Sequence, residues 1–166
     1  MKEITDAFGY WFSGFTDGEG CFAIGQDKRK SSCAQYNCQF SISLRDDDKE
    51  ILKKIRDTLG FGKIYEKLVY HSYRNAQPQA RFDVCSIRQC ERLVKIFLKY
   101  PLLAKKRNDF EIWRQAVAEI SKPFDCRNPV LLKYYFLKIR EVRKYEKQNL
   151  LQKPQLKKLQ LVLEFD

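Results

Sequence analysis

The stretch Phe12-Ser13-Gly14-Phe15-Thr16-Asp17-Gly18-Glu19-Gly20 decides how the rest of the chain is read. Phe8, Trp11, Phe12 and Phe15 recur at i, i+3, i+4 and i+7, which predicts an amphipathic helix beginning near Thr5 or Asp6. Tyr10, Ser13, Gly14 and Asp17 repeat that spacing as a second stripe, built largely of small residues and facing roughly the opposite way. A glycine inside a helix costs about 1 kcal/mol against alanine. Gly9 and Gly14 therefore need a compensating contact, and close approach by another backbone fits best, so the helix is expected to pack on two sides. Gly18 and Gly20 stop it, and Cys21-Phe22-Ala23-Ile24 starts a strand directly afterwards. Glu19 is left at a helix C-terminus, a position that favours cations. Acids at 17 and 19 repel the helix dipole and each other unless a cation sits there. The unpaired carbonyls of the last turn add oxygen donors, and oxygen-rich sites suit Mg²⁺ or Ca²⁺.

The segment FSGFTDGEG resembles the signature of the LAGLIDADG homing endonucleases. That resemblance implies two such helices packed side by side, with the last acid of each binding metal. By position it assigns the metal-binding acid to Glu19 and a backbone carbonyl at the same site to Gly18, with Asp17 capping the turn. The stripe of Tyr10, Ser13, Gly14 and Asp17 becomes the expected contact with a second copy of the helix. The alternative is a helix ending in an ordinary Asp-Gly-Glu-Gly turn.

The chain has 166 residues, 44% of them hydrophobic, which fits a single globular domain with a proper core. A formal charge of +11 points to a polyanionic partner, nucleic acid first and an anionic membrane surface second. No apolar run approaches the roughly 18 residues of a spanning helix. The N-terminus resembles neither a signal peptide nor an Arg-rich transit peptide, so a soluble intracellular chain is expected. Six cysteines, at 21, 33, 38, 85, 90 and 126, show no CxxC pairing, and a reduced thiol within an apolar pattern behaves as a small buried hydrophobe. His71 is the only histidine, which leaves little for His-dependent chemistry.

After the first strand comes a basic loop carrying Lys28, Arg29 and Lys30. Tyr36 to Arg45 then alternates strictly. Tyr36, Cys38, Phe40, Ile42 and Leu44 fall on one side, and Asn37, Gln39, Ser41, Ser43 and Arg45 on the other. Such alternation means one face on the core and one in water or on a ligand. Amide, hydroxyl and guanidinium groups are those that read base edges in the major groove; a merely solvated face is the alternative. Asp46-Asp47-Asp48 reads as a helix start, with Asp47 or Asp48 as N-cap and Glu50 completing a capping box. An EF-hand is excluded because its sixth-position glycine is absent. Ile51, Leu52, Ile55 and Leu59 give that helix its core spacing, and Gly60-Phe61-Gly62 ends it.

A hairpin is expected from about Lys63 to Tyr73 and from Gln79 to Ile87, turning through Asn75 to Pro78. Lys63, Tyr65 and Lys67 share the polar face with Gln79, Arg81 and Asp83. Arg88 to Tyr100 reads as a further helix, interrupted by Pro101. Lys105, Lys106 and Arg107 open another through Phe110, Trp113 and Val117. Past the turn bracketed by Pro123 and Pro129, a long basic amphipathic helix is expected from Val130 to Leu151, with Leu131, Tyr134, Tyr135, Leu137, Lys138, Val142 and Tyr145 mixed among Arg140, Arg143, Lys144 and Lys147. The order αββαββα predicts an α+β domain with a four-stranded antiparallel sheet, helices on one face, the polar face free and extra C-terminal helices. Residues 5–118 form the expected core of one domain spanning 1–166, and 119–166 a helical extension.

The resemblance adds a saddle-shaped sheet and a lysine near the metal, carried by Tyr100-Pro-Leu-Leu-Ala-Lys-Lys. Lys106 is the first choice and Lys105 the second, with a solvated basic helix start as the alternative. Where some single-motif members carry a solvent-orienting glutamine, this chain has Leu44 with Arg45 beside it, so Arg45 joins Glu19 and Lys106 as a candidate catalytic residue. All seven glycines precede position 63, so one copy of the motif is present and a homodimer on a pseudo-palindromic target is expected. The resulting expectation is a sequence-specific endonuclease that cuts double-stranded DNA with Mg²⁺. Mn²⁺ is expected to substitute and Ca²⁺ to bind without supporting cleavage. An RNA-binding maturase or other non-cleaving relative, and a structural basic protein, are the competing readings. The family's habit of residing in organellar introns implies a chloroplast or mitochondrial setting.

Overall fold

The structure, a computed structural model, describes residues 4–27, 35–67 and 77–143. Helix α1 spans Asp6–Glu19, and the Thr5 hydroxyl at its N-cap accepts from the Phe8 N–H at 3.3 Å. Its last turn contains no basic residue, and Gly20 closes it by donating its N–H to the Thr16 carbonyl. Strand β1, Gly20–Asp27, follows without a connecting loop and pairs antiparallel with β2, Gln35–Arg45. After one 3₁₀ turn at Asp46–Asp48 comes α2, Lys49–Leu59, then β3, Lys63–Lys67, and β4, Gln79–Val84. Strand order is β1-β2-β4-β3, all antiparallel, so two helix-strand-strand units meet along β2 and β4. Helices α3, Ile87–Lys99, and α4, Lys106–Ile120, follow, then α5, Pro129–Val142.

The period-two pattern becomes a one-sided core. Phe22, Ile24, Cys38, Phe40, Ile42, Ala80, Phe82 and Val84 are buried under the helices. Phe22 lies at the centre of an aromatic cluster, its ring 5.1 to 5.6 Å from those of Phe40, Phe97, Phe110 and Trp113. Deleting such a ring costs about 3–5 kcal/mol through lost transfer energy and the cavity left behind. Phe12 anchors α1 to the same cluster by stacking on Phe97 at 5.3 Å. The fold is the α+β arrangement the spacing predicts.

Several local expectations change. The Asp48 side chain makes no cap bond, so the expected capping box is not formed. The acids pair with nearby bases instead: Asp46 with Lys49 at 3.4 Å, Asp47 with Arg45 at 2.7 Å and Glu50 with Lys53 at 2.6 Å. The return strand ends at Val84 rather than Ile87, because the Ser86 carbonyl takes the Gln89 and Cys90 N–H groups and α3 begins at Ile87. Cys85 and Cys126 are exposed, whereas Cys38 and Cys90 are buried, and burial pushes the Cys90 thiol up to about 12. The expected far ends of the hairpin, His71, and α5 beyond Arg143 lie outside the described residues.

Helix α5 packs on α4 and β1. Its buried residues are Leu132, Leu137 and Ile139, of which the sequence reading named only Leu137. The joint is polar as well as apolar. Glu119, 4% exposed, accepts from the Asn128 N–H and from Lys122, both at 2.6 Å, and Asp109 takes the Arg143 guanidinium at 3.2 Å. Asn128 in turn caps α5 by accepting from the Val130 and Leu131 N–H groups.

Candidate active site and nucleic-acid interface

The tip of α1 is shaped by what its glycines must avoid. A Cβ on Gly20 would lie 2.5 Å from Thr16 Cγ2 and 2.7 Å from the Thr16 carbonyl oxygen, so only glycine lets the chain pass from helix to strand there. Gly18 meets nothing within 4 Å. Between them Glu19 is exposed, at the negative end of a helix whose last turn contains no base.

Asp17 points back into its own chain. Its Oδ2 accepts from the Leu103 and Ala104 N–H groups at 2.8 and 3.1 Å, tying the α3–α4 connection to the helix tip. Lys106, half-buried, is the first residue of α4, two residues beyond that tether, and Lys105 just before it is exposed. The tether thus joins the helix tip that ends in Glu19 to the segment just before the lysine pair. Asp17 Oδ1 and Thr16 Oγ1 are buried without a hydrogen-bond partner among the described residues.

Of the stripe expected to meet a second helix, Ser13 and Asp17 are already engaged. Ser13 is buried and donates to the Tyr100 carbonyl at 2.6 Å. The physical reason is the same for both: the connection between α3 and α4 leaves backbone groups without helical partners, and these two side chains satisfy the Tyr100 carbonyl and the Leu103 and Ala104 N–H groups. Tyr10, 63% exposed, and Gly14, with open space around it, remain outward. Gly9 has a different reason from the one expected, because its Cβ would lie 2.4 Å from the Tyr100 ring rather than against another backbone.

Among the described residues no three His, Cys, Asp or Glu side chains gather to hold a metal. One chain offers Glu19 and the carbonyls of the last helical turn. This all-oxygen set suits a hard divalent cation.

The open sheet face falls into cross-strand rows. Arg45 stands opposite Gln79, and Gln79 opposite Lys67; Ser43 stands opposite Arg81, and Arg81 opposite Tyr65. The third row runs Cys21, Ser41, Asp83, Lys63. Asn37, Ser43, Arg45, Lys63, Tyr65 and Gln79 are exposed, and Gln39 and Arg81 are half-buried. Ser41 departs from expectation: with neighbours on both sides it is only 5% exposed, so its hydroxyl is not open to a ligand. Arg45 binds Asp47 at 2.7 Å and lines a shallow depression with Asp46, Gln77 and Pro78; its guanidinium is thus engaged with the 3₁₀ turn. Lys28, Arg29 and Lys30 lie outside the described residues, as does the side chain of Lys67. Asp83, an acid on this basic face, carries weight that the sequence reading did not give it, although the alternation had placed it there.

A family model described as LAGLIDADG endonuclease matches residues 12–117. An uncharacterised 50.9 kDa protein in ND4 intron 1 of Podospora anserina is 35% identical over 115 residues, 66% of this chain and 24% of that protein. A probable intron-encoded endonuclease, Cox1-I1b of Schizosaccharomyces pombe, is 28% identical over 115 residues and is covered to 27%. The chain spans about a quarter of the length of these relatives. Among solved structures, the homing endonuclease I-TnaI is similar with a TM-score of 0.67 at 21% identity, over 95% of this chain and 99% of that one. The LAGLIDADG meganuclease I-AabMI bound to uncleaved DNA gives a TM-score of 0.63 at 26% identity, over 86% of this chain and 47% of that one.

Proposed function

The chain belongs to the LAGLIDADG endonuclease family, and from that membership we propose that it is a sequence-specific homing endonuclease acting on double-stranded DNA as a homodimer. The observation that carries the reading is the Glu19 carboxylate, exposed and without a base in its own helical turn, at the junction of α1 and the open sheet face. The sheet lies along the major groove. There Asn37, Gln39 and Gln79 suit adenine edges and Arg81 suits guanine, while the net charge of +11 draws the duplex in and makes binding salt-dependent. Two α1 helices pair along Tyr10 and Gly14 about a two-fold axis, bringing two Glu19 carboxylates and the Gly18 carbonyls together. These oxygens would hold divalent metal, with Mg²⁺ as the working ion, Mn²⁺ as a substitute and Ca²⁺ as a binder that does not support cleavage. A bound divalent cation supplies Lewis acidity toward the scissile phosphate and lowers the pKa of a coordinated water. Lys106, two residues beyond the segment tethered by Asp17, offsets charge on that phosphate.

No described helix is long and apolar enough to cross a membrane. A similar protein from Saccharomyces cerevisiae bears the name uncharacterised mitochondrial protein RF1, 31% identical over 128 residues, which supports an organellar setting for this chain. Duplexes recovered from a randomised pool by the purified chain give its target, and cleavage of that target is then followed with and without Mg²⁺. Glu19→Gln should bind like the parent and cut at least about a hundredfold more slowly, the usual scale for losing one electrostatic contributor to the transition state. Parent-like cutting by that variant would overturn the assignment.

A further inference from the structure

The open face presents two arginines whose guanidiniums bind acids of their own chain, and the two pairs differ in kind. Arg45 and Asp47 are 66% and 61% exposed, an ordinary surface pair between mobile side chains. Arg81 and Asp83 are 43% and 12% exposed, with Nε donating to Oδ1 at 2.6 Å. The acid is sunk into the sheet and the cation stands out of it. Residues two apart on a strand share a face, and β4 is an interior strand, paired with β2 on one side and β3 on the other. Ser41 and Lys63 flank Asp83 across the strands, and Ser43 and Tyr65 flank Arg81. The Arg81 side chain is therefore held at its Nε edge by a nearly buried carboxylate on a rigid frame. Among the described residues the terminal amino groups of the guanidinium have no partner.

An acid on a surface that meets a polyanion weakens general attraction to phosphates. It is useful there only if it selects, since specificity is a difference of affinities and gains from repulsive elements. A guanidinium presenting its terminal amino groups in a fixed direction matches the O6 and N7 acceptors of guanine. With the geometry set before binding, less side-chain freedom is lost on contact.

Resting on the endonuclease reading above, we infer that Asp83 is a specificity-determining positioning residue, which aligns Arg81 to read one guanine in each half-site. In a homodimer each half-site has one such position. Arg81 touches the base; Asp83 acts through Arg81.

The test uses the selected target and a panel of duplexes substituted at each position, titrated with the parent chain, Arg81→Lys and Asp83→Asn. Arg81→Lys, which keeps the charge but loses the planar fork held by Asp83, should weaken the guanine preference at one position per half-site and leave the others alone. Asp83→Asn should weaken the same preference about tenfold, while affinity for mismatched duplexes holds or rises. Should the amide variant fail to fold, Asp83→Glu, which keeps the charge but lengthens the arm, gives the same readout. Preference left intact by both Asp83 variants would overturn the inference, and so would an equal loss at every position. If the parent itself prefers no base anywhere, the endonuclease reading falls with it; if the parent is selective but Arg81→Lys changes nothing, only the inference falls.

Discussion

Replacing Gly14 by alanine should stabilise the isolated chain and weaken the dimer, two effects of opposite sign from one methyl group. Gly14 sits mid-helix in α1, and a Cβ built there meets nothing within 4 Å. Its backbone is not in the left-handed region, where only Gly60 and Gly62 are found among the described glycines. Alanine is therefore accommodated without strain, and the chain gains about 1 kcal/mol of helix propensity. In the proposed dimer the same open space is filled by the partner helix, and the two-fold axis brings in two added methyl groups. Overpacking costs about 1–3 kcal/mol per site. Even the lower figure, taken twice, is about 2 kcal/mol, which is about thirtyfold in dissociation constant. Urea denaturation at a concentration below dimer dissociation measures the first effect, and sedimentation equilibrium over a concentration series measures the second. If stability rises while self-association stays unchanged, the Gly14 stripe is not the interface. If stability falls, the space around Gly14 is not open.

The other glycine of the helix should behave in the opposite way. Gly9→Ala drives a Cβ to 2.4 Å from a Tyr100 ring that is 1% exposed and held by its hydroxyl to Asp6 at 2.6 Å. The overpacking outweighs the propensity gain, so a net loss of up to about 2 kcal/mol is expected in urea denaturation. Asp17→Ala removes two charge-assisted bonds to the α3–α4 connection and should lower stability by about 1–3 kcal/mol. It should also slow cleavage more than it weakens DNA binding, because Lys106 loses its tether; equal losses in both would remove Lys106 from the chemistry. Burial pushes the Glu119 carboxyl up, but the Asn128 N–H, Lys122 and Arg127 outweigh it and hold it below the ordinary value of 4.5. The folded chain then binds fewer protons than the unfolded one around that pH. Glu119's contribution is full above 4.5 and fades as pH falls through the lower folded value. The stability gap between the parent chain and Glu119→Gln should therefore close on acidification from pH 6 to pH 3, and a gap that widened would reverse the assignment.

What the sequence made legible is what local periodicity can carry. Strict alternation from Tyr36 to Arg45 fixed a strand with one apolar face, and Phe12 with its i±3 and i±4 neighbours fixed α1 on the core. What it could not carry are contacts between residues far apart in the chain. Asp17 looks like a local cap, yet its Oδ2 accepts from N–H groups 86 and 87 residues away. Asp47 and Glu50 have the spacing of a capping box, but Arg45 and Lys53 take those two acids, α2 starts with Asp48 at its N-cap, and the box is not formed. Gly9 and Gly14 carry identical residues in the same helix, and only the three-dimensional placement of Tyr100 separates a glycine needed by its own chain from one left open to another.

The same limit applies to the reading face. Alternation assigns Asn37 and Ser41 to one side with equal weight, but their accessibility differs because the rows differ. Ser41 stands between Cys21 and Asp83 in a row that crosses all four strands, and its short hydroxyl is covered by those neighbours. Asn37 lies beyond the end of the β2–β4 pairing, which stops at Phe40 opposite Val84, and its one cross-strand neighbour is Gly25. A Cβ on Gly25 would lie 2.4 Å from Asn37 Oδ1, so the glycine leaves the amide the room it uses. Access to a ligand on this sheet therefore depends less on which residues are polar than on what stands opposite each of them. Under the proposed reading, Asp83, set opposite Ser41 and Lys63 and bound to Arg81, determines how Arg81 would meet its base.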